Sequence, residues 1–289
     1  MDTAWIDRNA YPFASHFLDV GPGRLHYVDE GSGAPIVMVH GNPTWSFLYR
    51  HLIRALSGEF RCVAPDHLGF GLSDKPAGWS YRPEDHANNL AALIDSLGLR
   101  DITLVVQDWG GPIGLAYAIA HPDRVARLVI MTTWMWPVDE DRYYVAFSKI
   151  MGGRLGRFLI RRFNLFARVV MKRSYGDRRR LTPEIHEHYL RALGTPGERV
   201  GCATLPGQIL GATSWLGGLW ARRAALADKP ALIVWGMKDI AFREKELNRW
   251  IEALPQAEVV RLSAVGHYLQ DEAPDEVNAA VRRFLGAAG

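Results

Sequence analysis

Asp108, Asp239 and His267 are three side chains whose types and order can do chemistry together. Asp108 lies in Val105-Val106-Gln107-Asp108-Trp109-Gly110-Gly111-Pro112, between the apolar run 102–106 and the helix-forming stretch 113–120. Strand, sharp turn and helix in that order form an elbow that lifts one reactive side chain above a sheet, and its usual occupant is serine. A serine attacking saturated carbon would leave an ether, which water does not readily cleave. A carboxylate leaves an ester, which an activated water hydrolyses. Aspartate in the elbow therefore suits displacement at sp3 carbon, with alkyl halides and epoxides as the obvious electrophiles. The plain alternative is that Asp108 only caps the helix behind it. The rest of the chain argues against that. Asp239 follows the apolar run 231–235 and His267 the run 258–262, giving the order nucleophile, acid, histidine at three predicted strand ends. Open α/β sheets bind ligands at the carboxyl ends of their strands.

The elements that must position these residues are legible in outline. The spacing predicts a hairpin over 17–29 around Gly21-Pro22-Gly23, and strands over 35–39, 61–65, 102–106, 125–133, 231–235 and 258–262. Helical patterns fill 46–56, 83–97, 113–120, 243–254 and 274–285, with Pro83 in a first turn and Gly98 just past an end. Near-continuous apolar strands alternating with helices imply a mainly parallel sheet covered on both faces. From Trp134 to about Ala212 helical patches follow one another with no convincing strand between them. We therefore expect a core of 1–133 and 213–289, with a helical cap inserted at 134–212.

The 289 residues, 48% hydrophobic, are enough for a large core. Thirty-four basic and 31 acidic residues are too balanced to argue for a nucleic-acid partner. Cys62 and Cys202 sit in apolar sequence, and nothing demands a disulfide. The first residues lack a signal peptide's basic and apolar regions, and no run reaches transmembrane length, so the expected location is cytoplasmic, without stable membrane insertion. Gly69-Phe70-Gly71 has no third glycine opening a helix, which excludes a dinucleotide fingerprint. His186-Glu187-His188 lacks the spacing of a zinc motif, and no metal is expected.

The sequence resembles the haloalkane dehalogenases, a branch of the α/β-hydrolase superfamily, over nearly its whole length. The resemblance is carried by residues 25–31 (LHYVDEG), His40-Gly41-Asn42-Pro43-Thr44-Trp45, Gly69-Phe70-Gly71-Leu72-Ser73, the elbow, Trp235-Gly236-Met237-Lys238-Asp239 and Gly266-His267-Tyr268-Leu269-Gln270-Asp271. Asn42 together with Trp109 after the nucleophile is the specific part. The resemblance implies an α/β-hydrolase fold, a small halogenated hydrocarbon as substrate and no cofactor. It also implies an alkyl ester on Asp108, with His267 activating water and Asp239 orienting His267. The indole of Trp109 and the amide of Asn42 would bind the departing halide, and their backbone N–H groups would form the oxyanion hole. In some members the acid is a Glu after the earlier strand. Here that position holds Thr132 or Thr133, with Asp139 and Glu140 further on, so Asp239 is assigned. Val106 departs from the small residue usual two positions before the nucleophile, and would crowd the turn.

Trp134, Trp136, Phe147, Leu205, Pro206, Ile209 and Leu269 are candidates to line an apolar pocket, with cap core as the alternative for each. An epoxide hydrolase on the same triad would need a cap tyrosine aimed at the nucleophile, and Tyr143, Tyr144, Tyr175 and Tyr189 are available. A non-catalytic binder is the third reading. The Arg-rich stretch 154–180 reads as a cap helix with a solvated basic face and a buried apolar one, with a membrane surface, an anionic partner or self-association as rivals.

Overall fold

The apolar runs become the strands of one sheet. The computed structural model describes residues 4–286. Among them the strands are β1 (His16–Asp19), β2 (Arg24–Glu30), β3 (Pro35–Val39), β4 (Arg61–Pro65), β5 (Ile102–Gln107), β6 (Val125–Met131), β7 (Ala231–Gly236) and β8 (Glu258–Leu262). They lie in the order β1-β2-β4-β3-β5-β6-β7-β8. The hairpin β1-β2 and the pair β2-β4 are antiparallel, and every later neighbour is parallel.

Alternate strand residues enter opposite faces. Val37, Val39, Leu104, Val106, Leu128, Ile130, Ile233 and Trp235 pack into one core with α2 (Pro83–Ser96) and α3 (Gly110–Ala120). Ile36, Met38, Val105, Val129, Met131, Leu232 and Val234 pack into the other. That face is covered by the helices Arg50–Leu56, which precedes α2, and Pro274–Leu285. The predicted helix over 46–56 opens as a tighter 3-10 turn, Ser46–Tyr49.

Between β6 and β7 the described chain holds only helices. They include α4 (Arg142–Gly152), α5 (Arg154–Phe163), a π-helical turn (Phe166–Val170) and, further on, Pro183–Arg191 and Val200–Gly211. Helical structure runs past residue 212, through Thr213–Ala221 to Leu226. The Thr213–Ala221 helix packs against α3, which places it with the core helices. The helices α4 and Val200–Gly211 cross where Gly152 meets Gly207, and a Cβ on Gly152 would collide with the other backbone.

Candidate active site

The elbow forms because three glycines remove every Cβ that would block it. A side chain at Gly41 would collide with the Asp108 carboxylate, one at Gly110 with the Val39 carbonyl, and one at Gly111 with the Thr133 hydroxyl. Asp108 itself adopts φ +50°, a left-handed conformation that costs an L-residue roughly 1–2 kcal/mol. The turn is held by Asp108 N–H to the Thr132 carbonyl (3.1 Å), Gly111 N–H to the Asp108 carbonyl (2.9 Å), and the Thr133 hydroxyl to that same carbonyl. The crowding expected from Val106 does not fall on the turn. Its side chain faces α3 at Gly114, where an added Cβ would come within 2.8 Å of it. A missing side chain on the helix makes the room.

Asp108, His267 and Asp239 meet above the strand ends. His267 Nδ1 is 2.8 Å from Asp239 Oδ2, and its Nε2 is 3.6 Å from Asp108 Oδ2. Asp108 Oδ1 accepts the backbone N–H of Asn42 at 2.7 Å, so Oδ2 is the oxygen left to attack. The alternative acids Asp139 and Glu140 are exposed, in a separate surface cleft. Sequence reasoning passed over Gln107. Its amide nitrogen lies 2.8 Å from His267 Nε2 and donates to the His267 carbonyl at 3.3 Å. Because a carbonyl faces it, that amide end must be the NH2, and it can donate to Nε2 only if Nε2 carries a lone pair. This contact fits a neutral imidazole with its proton on Nδ1, toward Asp239, the tautomer a general base needs. Thr132 was missed too; its hydroxyl donates to the His267 carbonyl at 3.2 Å.

Burial pushes the Asp108 carboxyl up from its ordinary value, opposed by His267 and the N–H groups of Asn42 and Trp109. Burial pushes the His267 imidazole down, but the Asp239 and Asp108 carboxylates outweigh it and the net direction is up.

The Asn42 amide is oriented by a helix defect. Asn42 Nδ2 donates to the Cys202 carbonyl at 3.3 Å. In a regular helix that carbonyl would accept from residue 206, four positions on. Residue 206 is proline, which has no N–H, so the carbonyl is free to take the amide. One amide hydrogen of Asn42 is thereby fixed and the other remains for an anion. Trp109 is nearly buried and packs edge-on to Trp134 at 4.6 Å.

Asn42, Asp108, Trp109 and His267 share a mostly apolar cleft with about 670 Å³ of empty space, part of it open to solvent. Trp134, Phe147, Pro206 and Ile209 line it, together with Tyr143 and Tyr144, considered above only as epoxide proton donors, and Phe166, Val170, Ile240 and Phe242, which sequence reasoning did not single out. Three expected lining residues are elsewhere. Trp136 packs against Trp220 and Trp250, and Leu205 and Leu269 are fully buried in the two cores. The four cap tyrosines are spoken for. Tyr143 and Tyr144 donate to the carbonyls of Ile240 and Ala241, both at 2.8 Å, while Tyr175 and Tyr189 donate to Asp271. None is held toward Asp108 as an epoxide's proton donor would be.

His186 bonds the Ala167 carbonyl, and His188 stacks on Phe47 at 4.3 Å, so both are structural. Among the described residues no cluster of metal-binding side chains occurs, and no helix is long and apolar enough to cross a membrane. Cys62 and Cys202 are buried free thiols.

An α/β-hydrolase fold model matches residues 34–274. Haloalkane dehalogenase 2 of Mycobacterium tuberculosis (strain H37Rv) is 43% identical over 283 residues, covering 97% of this chain and 98% of that one. A cis-3-alkyl-4-alkyloxetan-2-one decarboxylase of Shewanella oneidensis is 38% identical, covering 95% and 89%. The crystal structure of the haloalkane dehalogenase DatA from Agrobacterium tumefaciens C58 superposes with a TM-score of 0.84 at 27% identity, covering 94% and 96%. The chain thus belongs to the α/β-hydrolase fold family and, within it, to the haloalkane dehalogenases.

Proposed function

We propose that the protein hydrolyses the carbon–halogen bond of small haloalkanes to an alcohol, a halide and a proton. Asp108 Oδ2 attacks the halogen-bearing carbon in line, and the carbon–halogen bond breaks as the ester bond forms. The leaving halide is received by the Trp109 indole N–H and the free amide hydrogen of Asn42, donors aimed at developing charge in an apolar cleft. Each such bond to an anion contributes about 1.5–3 kcal/mol. His267 then takes a proton from water, whose oxygen adds to the ester carbonyl carbon. The oxyanion forms on Asp108 Oδ1, where the backbone N–H of Asn42 already donates. Asp239 stabilises the imidazolium, as the third member does in other triads. Collapse of the tetrahedral species expels the alkoxide, which takes the proton from His267 and leaves as the alcohol, and the Asp108 carboxyl releases the remaining water proton to become the carboxylate again.

The observation that carries this reading is the contact chain from Asp108 through His267 to Asp239, opening on the apolar cleft that Asn42 and Trp109 also line. The test is halide release from short bromo- and chloroalkanes by wild type and Asp108→Ala. Release in wild type and none in the variant is expected; full turnover without Asp108 would overturn the mechanism. A second substrate class is favoured by the oxetanone decarboxylase relative. A strained four-membered lactone offers the same carboxylate an electrophilic carbon, and its leaving carboxylate would suit the same donors. Carbon dioxide and alkene from a cis-dialkyl oxetan-2-one, without halide release from any haloalkane, would make that class the substrate.

A further inference from the structure

Residues 142–180 carry twelve Lys or Arg and one acid, Asp177, a net of +11 in a chain whose total is +3, so the other residues together are negative. The expected burial of the apolar side of this stretch holds for Phe166, Ala167, Met171 and Tyr175 but fails over most of α5. On α5 only Gly156 and Ile160 are buried, whereas Leu155 is 71% exposed, Phe158 55% and Phe163 54%. Ile150, at the end of α4, is 68% exposed. Arg154, Arg157, Arg161 and Arg162 alternate with these side chains and wall a shallow groove beside Phe158 and Pro196.

We propose that this face, centred on α5, seats the enzyme on the surface of a bilayer containing anionic lipids. The guanidinium groups would meet the lipid phosphates, while Ile150, Leu155, Phe158 and Phe163 dip into the acyl boundary. Arg among Phe and Leu on one short helix is the composition of interfacial helices. Charge argues against the simplest alternative, a symmetric dimer, because a two-fold axis would set the same basic patch against itself. A nucleic acid would account for the arginines and leave Ile150 and Leu155 in water.

The placement suits apolar substrates that partition into membranes. Tyr143, Phe147 and Ile150 fall at i, i+4 and i+7, one stripe along α4. Tyr143 and Phe147 line the cleft, and Tyr143 is also exposed, so the stripe leads from its mouth to the patch. From Tyr143 to Ile150 is about 10 Å at the rise of a helix.

The test is co-sedimentation of the full chain with vesicles of phosphatidylcholine alone or mixed with phosphatidylglycerol, at low and high salt. Binding is read without turnover, so it stands or falls apart from the dehalogenation reading. We expect binding to the anionic vesicles only, weakened at least about tenfold by Arg157→Glu/Arg161→Glu, and by Leu155→Ser/Phe158→Ser at constant charge. These residues lie outside the cleft, so all variants should turn over a short soluble haloalkane at the wild-type rate. No binding to anionic vesicles would overturn the proposal. So would a wild-type dimer in light scattering that Leu155→Ser/Phe158→Ser converts to monomer without any vesicle binding, since a second copy would then cover the patch.

Discussion

Gln107 and Asp239 hold the two nitrogens of His267 in opposite roles, and this makes the two half-reactions separable. In the proposed mechanism alkylation needs only the Asp108 carboxylate, and hydrolysis needs a neutral His267. His267→Phe should therefore release one equivalent of halide and stop, leaving the alkyl group as added mass on the peptide containing Asp108. Steady halide release from that variant would contradict the assignment. Asp239→Asn should slow ester decay by about 10⁴-fold, the order seen when the third member of a triad is neutralised. Near-normal rates would move the acid elsewhere. The imidazole of free enzyme titrates above its ordinary value, partly because Asp108 is charged beside it. Esterification removes that charge. A base works only when deprotonated, so ester decay should fall as pH drops, with its midpoint below the His267 titration of free enzyme. Single-turnover decay against pH, set beside an NMR titration, measures both; a decay midpoint at or above the free-enzyme value would refute the coupling.

At the scale of elements, the strands and their order along the chain were readable because most buried strands are short apolar runs closed within a few residues by a glycine, asparagine or aspartate; β6, which runs into Thr132-Thr133, is the exception. Asp108, Asp239 and His267 could be picked out from their positions at strand ends, and the fold brings them together. The helices after Trp134 gave up less, because their apolar residues face one another, the cleft or solvent, and spacing alone does not distinguish these. Leu205 and Ile209 lie one helical turn apart, yet one is core and the other cleft. Leu155 and Phe158 read as buried and are exposed. Tyr143 and Phe242 line the cleft through a loop–helix contact that no local pattern encodes. Pro206 was legible only as an apolar lining residue; its larger effect depends on the helix continuing through it. Pro206→Ala would supply the missing N–H to the Cys202 carbonyl, returning that carbonyl to the helix and freeing the Asn42 amide to turn. Halide affinity, read from quenching of tryptophan fluorescence, should weaken about 3–10-fold, less than the 1.5–3 kcal/mol expected from Asn42→Ala. Unchanged halide affinity in Pro206→Ala would show that the amide does not depend on this carbonyl.

The whole molecule buries three neutral histidines together, and this sets its response to acid. His40, His67 and His86 lie in a row as tilted neighbours, with ring centroids 4.3 Å and 5.0 Å apart. His40 and His67 are tied into the loop that carries Asn42: His40 Nδ1 lies 2.8 Å from the Gly41 carbonyl, and His40 Nε2 accepts the His67 N–H at 2.9 Å. His86 differs, since neither ring nitrogen has a partner and Trp79, Tyr81 and Phe70 surround it. Burial pushes His86 down to about 3, with His40 adding to the effect, and burial also lowers the other two. In the unfolded chain a histidine titrates near ~6.5. Below that pH the unfolded state binds a proton that the folded state refuses, so this contribution to stability is complete above about 6.5 and is lost as pH falls toward 3. The slope is about 1.4 kcal/mol per pH unit for each such histidine. His86→Phe breaks no hydrogen bond and keeps a ring among rings. Its stability relative to wild type should be near equal or slightly higher at pH 7. At pH 4.5 that difference should grow by about 2–3 kcal/mol in favour of the variant. Urea unfolding at the two pH values measures this directly. An identical difference at both would mean that His86 is protonated in the folded protein, and the acid sensitivity would then have to come from His67 or His40.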